Sequence, residues 1–194
     1  MIRIASILLL TIFCVPLNAQ KKGKKTDDAE FPLQMKTIMG LPLDSLLAHP
    51  SMSPVAIKIV KGKKALGTDA EFMGILDSVT RAMPETRPMY IHILVYANKM
   101  AEGTLADSLG KYNISLLKMY PKEVLRYFKK GETDERIADA QKSFEDNIAF
   151  EMNGSGDPKE AFDELVDKVF EKYKSKDTSA IDKLFKGIKK AMKL

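Results

Sequence analysis

From residue 68 to the C-terminus, apolar residues recur every three or four positions, and most of the runs stop at a proline or a glycine. That period is the signature of amphipathic helices, and it leaves little room for a sheet. Thr68 with Glu71 forms a capping box. Phe72, Ile75, Leu76, Val79 and Met83 then line one face until Pro84. Thr86 and Pro88 restart a helix by N-cap and early-proline logic. Thr104 caps the next, with Leu105, Leu109, Tyr112 and Leu116 in register and Ile114, Leu117 and Tyr120 widening the stripe. After Pro121, a shorter helix carries Val124, Leu125 and Phe128 and ends at Gly131. Thr133 opens another with Ile137, Ala140, Phe144, Ile148 and Met152. Asp157-Pro158, with Glu160 in the first turn, starts a helix bearing Phe162, Leu165, Val166, Val169, Phe170 and Tyr173. The last helix runs from Thr178 with Ile181, Leu184, Phe185, Ile188 and Met192.

Residues 89–101 (MYIHILVYANKMA) are apolar on nearly every face. Such a run suits either a central buried helix or a buried strand. Its length and the helix signals on both sides favour the helix. Upstream, Pro32, Pro42, Pro50 and Pro54 divide residues 31–54 into short pieces. Residues 43–49 make two helical turns before Pro50. Residues 55–60 (VAIKIV) are β-branched and partly alternating, which suits a short strand, although no hairpin partner lies beside them. Lys61-Gly62-Lys63-Lys64 reads as a turn. Six amphipathic helices with short connections predict an all-α domain over 31–194, an antiparallel helical bundle or a short stack of helical hairpins. No fixed-period repeat specifies a solenoid.

The N-terminus reads differently. Arg3 precedes an apolar run from Ile4 to Val15, Pro16 breaks it, and Ala19 offers a small residue for cleavage before Gln20. This is the order of a secretory signal peptide over 1–19, and its apolar part is shorter than the roughly 20 residues a membrane span needs. The sequence therefore predicts export, to a periplasm or outside the cell. Cys14, the only cysteine, falls within this leader, so the mature chain is cysteine-free. A lipoprotein reading of Cys14 is weakened by Phe13 and Ile12, where a small residue is wanted. Residues 20–30 (QKKGKKTDDAE) lack apolar periodicity and read as a disordered basic and acidic linker.

The chain of 194 residues has a formal net charge of +5, with its charges mixed rather than gathered. Export and mixed charge argue against nucleic acid as a partner. His49 and His92 are the only histidines. His49 precedes Pro50 at a short helix end, where it is placed to bond a last carbonyl. His92 lies in the most apolar segment, where a histidine is ordinarily a satisfied core residue. Neither belongs to a metal-binding spacing, and no cofactor is expected. Asn153-Gly-Ser155-Gly-Asp157 faintly resembles a calcium loop, but Pro158 stands where glycine is needed and Glu160 comes too early. Paired carboxylates, Asp134-Glu135 and Asp163-Glu164, fall on faces expected to be solvated. Asn113-Ile-Ser115 and Asn153-Gly-Ser155 match the glycosylation pattern, relevant only to a eukaryotic secretory pathway.

The sharpest surface feature is the last helix. Opposite its apolar stripe stand Lys183, Lys186, Lys189, Lys190 and Lys193. A basic amphipathic helix can lie on an anionic membrane. The competing reading is a last bundle helix whose stripe covers the core and whose lysines suit its C-terminal dipole. Without a catalytic constellation, the sequence points to a non-enzymatic exported helical protein that binds a protein or another envelope or extracellular component. Peripheral membrane contact through the C-terminal helix is the alternative, and an enzyme with scattered residues a third.

Overall fold

A computed structural model describes residues 33–131 and 134–194. The leader, the linker and Thr133 lie outside these residues. The described chain is an all-α helical bundle with one small hairpin at its start. Strands β1 (Thr37–Ile38) and β2 (Leu41–Pro42) pair antiparallel through the two-residue turn Met39-Gly40. Both turn residues have positive φ, 50° and 90°, which is the mirror-image turn that matches the right-handed strand twist. Helix α1 (Leu43–Leu47) follows, and α2 (Pro54–Val60) comes next.

Residues 55–60 are thus a helix, which corrects the strand expected there. Ser53 is the N-cap and its Oγ accepts from the Val55 N–H, while Pro54 occupies the first turn. Cap and proline together preset a helix, and burial of Ala56, Ile59 and Val60 supplies the packing. Local β-propensity is a weak preference beside these.

Helix α3 (Ala70–Ser78) starts one residue later than the sequence suggested. Asp69 is the N-cap, accepting from the Phe72 N–H at 3.1 Å, rather than Thr68. The helix ends near Val79, so Met83 leaves the apolar face and is exposed. Helix α4 (Arg87–Met100) is buried without interruption from Arg87 to Val95 and is the central helix expected. Helix α5 (Gly103–Met119) has Glu102 at its N-cap instead of Thr104, and α6 runs from Pro121 to Gly131. Asp134 caps α7 (Glu135–Asn153), accepting from Arg136 N–H. Asp157 caps α8 (Pro158–Lys172) as expected, and α9 spans Ser179–Met192.

Consecutive helices do not make the largest contacts. Helix α7 is the hub: it packs most extensively on α5, then on α9 and α4. Gly110 permits the crossing of α5 with α7. A Cβ there would overlap the Asn147 carbonyl oxygen and the Glu151 Cβ, so the α5 and α7 backbones meet only because position 110 lacks a side chain. The core is continuous, with Phe72, Met89, Leu94, Leu116, Phe144 and Ile188 among its fully buried side chains.

Candidate functional site

The apolar stripe of α9 faces inward. Ile181, Leu184, Phe185, Ile188 and Met192 are all buried, against α7 and to a lesser extent α8. The face that would enter a bilayer is therefore part of the core. Lys183, Lys186, Lys189, Lys190 and Lys193 are all exposed. At 100° per residue they fan across roughly a third of the helix circumference. One edge of that fan meets the polar side of α7.

There a groove of about 570 Å³ runs between the two helices. Its walls carry Lys183, Lys186 and Lys190 from α9 and Lys142 from α7, and Ala138, Gly187 and Ala191 keep it open between them. Glu145 and Asp146 also line it. Glu145 is half-buried, and Gln141 Nε2 donates to its Oε1 at 2.8 Å. Burial raises the Glu145 carboxyl above the ordinary range, reinforced by Asp146 and opposed by the Gln141 hydrogen bond and Lys183. Gly187 makes room for this carboxyl, because a Cβ at 187 would sit on it. The sequence isolated the α9 lysines. It did not show that Lys142, some forty residues earlier, faces them.

The buried polar groups serve the fold. His92 is fully buried between α6 and the start of the described chain. Its Nε2 faces the Leu33 carbonyl at 2.9 Å and its Nδ1 faces the Tyr127 hydroxyl at 2.7 Å. A carbonyl only accepts, so Nε2 carries the proton and Nδ1 accepts from Tyr127. Burial lowers the His92 pKa to about 4, against a smaller opposing effect of the Leu33 bond, so the ring is neutral. Tyr127 is pushed well above its ordinary range by burial and by Asp134. Asn98, Asn113 and Asn147 join α4, α5 and α7. Asn98 and Asn113 exchange two amide bonds of 2.9 and 2.6 Å, and Asn147 Nδ2 donates to Asn98 Oδ1 at 2.8 Å.

Arg87 is a second internal tie. Its Nη1 donates to Glu123 at 2.6 Å and its Nη2 to the Ala82 carbonyl, while its guanidinium stacks 3.7 Å from the Tyr120 ring centroid. Arg87 thereby pins the turn after α3 to α4 and α6. His49 does not bond a helix carbonyl with its ring as expected. Its Nδ1 lies 2.8 Å from Ser51 Oγ and accepts from the Ser51 N–H, a local turn on the surface.

Two of the three oxygen-bearing side chains in the loop resembling a calcium site are used by the fold. Ser155 Oγ donates to the Met152 carbonyl, and Asp157 caps α8. Among the described residues no group of three or more His, Cys, Asp or Glu could hold a metal ion. Asn113 is buried and bonded, so only Asn153 of the two glycosylation patterns presents an exposed acceptor. Among the described residues no helix is long and apolar enough to cross a membrane. The chain matches no protein family, no curated protein and no solved structure.

Proposed function

We propose that this is an exported, non-enzymatic binding protein of the cell envelope or extracellular space, and that it holds an anionic partner in the groove between α7 and α9. The observation that carries this reading is the groove itself: lysines from two helices converge on one recess, and three small residues keep that recess open. The leader motivates export. With the apolar stripe of α9 spent in the core, recognition falls to this charged seam.

The test is fractionation of producing cells with a salt wash, followed by purification of the wild-type protein and of a Lys183→Ser/Lys186→Ser/Lys190→Ser variant. The reading expects an exported protein with a stoichiometric partner that the variant loses. An unchanged partner on the variant, or retention of the protein in the cytoplasm, refutes it. A second reading, peripheral contact with an anionic membrane, draws on the exposure of all five α9 lysines, each worth about 1 kcal/mol near such a surface. It predicts sedimentation with phosphatidylglycerol vesicles at low salt and release at high salt.

A further inference from the structure

We infer that the α7–α9 groove takes an extended acidic polypeptide segment of a partner protein rather than a phosphate-bearing surface; this rests on the binding reading above and names the chemistry of its ligand. Three features of the groove lead there. Its lysines stand on opposite walls, Lys142 on one and Lys183, Lys186 and Lys190 on the other. A ligand must enter between them to engage both. A flat bilayer would meet the outer ridge of α9 and leave Lys142 aside, whereas a narrow chain can lie along the recess.

The second feature is spacing. Lys186 and Lys190 are one turn apart, about 6 Å along the helix axis. In an extended chain, side chains on one face repeat every second residue, about 6.6 Å apart. Carboxylates at alternate positions of an extended segment therefore fall in step with this lysine pair. Residues between them point the other way, toward the α7 wall that carries Lys142 and Glu145, where a hydroxyl can accept from Lys142 and another donate to Glu145.

The third feature is Glu145. Its carboxyl lies half-buried in the groove, bonded to Gln141 and seated against Gly187. A lipid phosphodiester brought into the recess would set only acceptor oxygens against the oxygens of this carboxyl. A polypeptide presents backbone N–H groups and hydroxyls between its acidic side chains, and one of these donors can satisfy Glu145. Lysines thus supply attraction for the acidic side chains, and Glu145 selects for a ligand that also donates.

The experiment measures binding of three probes to the purified protein by isothermal titration calorimetry or co-sedimentation. They are a capped peptide in which glutamate alternates with serine, inorganic phosphate, and phosphatidylglycerol vesicles. The inference expects saturable binding of the peptide. Affinity should fall at least tenfold in Lys183→Ser/Lys186→Ser/Lys190→Ser and, independently, severalfold in Lys142→Ser, with circular dichroism unchanged. Glu145→Gln should narrow the preference for peptide over phosphate, because the Gln amide can donate to phosphate oxygens.

Vesicle binding without peptide binding, abolished by the α9 substitutions but indifferent to Lys142→Ser, would overturn this inference and leave the second, membrane reading of the protein standing. Peptide binding that no groove substitution weakens would overturn it too. Failure of all three probes, with the native partner still retained by the triple variant, would overturn both this inference and the binding reading on which it rests.

Discussion

Acid should destabilise this protein through His92, at a pH where most carboxylates are still ionised. The perturbation is a drop from pH 7.5 to pH 5. In the fold the ring is buried and neutral, with a pKa of about 4, against 6.5 for an unperturbed histidine. Between those two values the unfolded chain holds one more proton than the folded one. Stability is therefore complete above pH 6.5 and declines as the pH falls toward 4. The gap of about 2.5 on the pH scale corresponds to about 3.4 kcal/mol in total, of which about 2 kcal/mol is lost by pH 5. The structural cost is visible: a second ring proton would sit on Nδ1, facing a Tyr127 hydroxyl that already donates to it. The assay is urea unfolding followed by circular dichroism, on wild type and on His92→Gln, at both pH values. Gln keeps a donor and an acceptor but does not titrate, so subtracting its curve removes the carboxylates. Wild type should lose about 2 kcal/mol more than the variant. Parallel losses in the two proteins would refute a neutral, desolvated His92.

Truncation before Ser179 should abolish cooperative unfolding. Five buried side chains at about 1.5–3 kcal/mol each represent about 8–15 kcal/mol, comparable with the whole stability of a domain. A truncated chain that keeps its helical signal and a sharp melt would show that α9 is peripheral. Two glycine substitutions should differ in sign of outcome. Gly110→Ala drives a methyl into α7 backbone and should cost at least about 3 kcal/mol, whereas Gly187→Ala meets only the movable end of Glu145 and should be neutral or gain up to about 1 kcal/mol in thermal or urea unfolding. Asn113→Ala removes both bonds to Asn98 and the weaker one to the Phe144 carbonyl, and should cost about 2–3 kcal/mol in the same assay.

Most of the helices were legible because apolar period and punctuation agreed. The stripe of Leu165 and Val169, bounded by Asp157-Pro158, is such a case. The start sites were less legible, because several capping residues stood side by side. Thr68 and Asp69 compete for one helix, and the stronger acceptor took it. Residues 55–60 misled because propensity speaks for the residues themselves, while the decision lay with Ser53 and Pro54 just before them. The polar core was invisible for another reason. Asn98, Asn113 and Asn147 sit on three helices, and their bonding depends on how α4, α5 and α7 cross. A glycine within the apolar register of α5 was the one available hint that two helices approach closely at Gly110.

The C-terminal helix poses the deeper ambiguity, because one stripe with lysines opposite it describes both a membrane helix and a core helix. What separates them is how much apolar surface the rest of the chain leaves uncovered. Helix α7 buries Ile137, Ala140, Phe144, Ile148, Ala149 and Met152, positions spread over about half of its circumference. A helix apolar over that arc needs neighbours on several sides, and α4, α5, α6 and α8 cover only part of that surface, the rest being the seam with α9. The stripe of α9 closes it. Once that seam is sealed, the two helices can meet outside only through their polar edges, and there the lysines of both converge around Glu145. The groove thus follows from the same packing that withdraws the apolar face of α9 from a bilayer: the helix gives that face to the core, and its charged edge becomes half of a recess that the sequence of either helix alone does not contain.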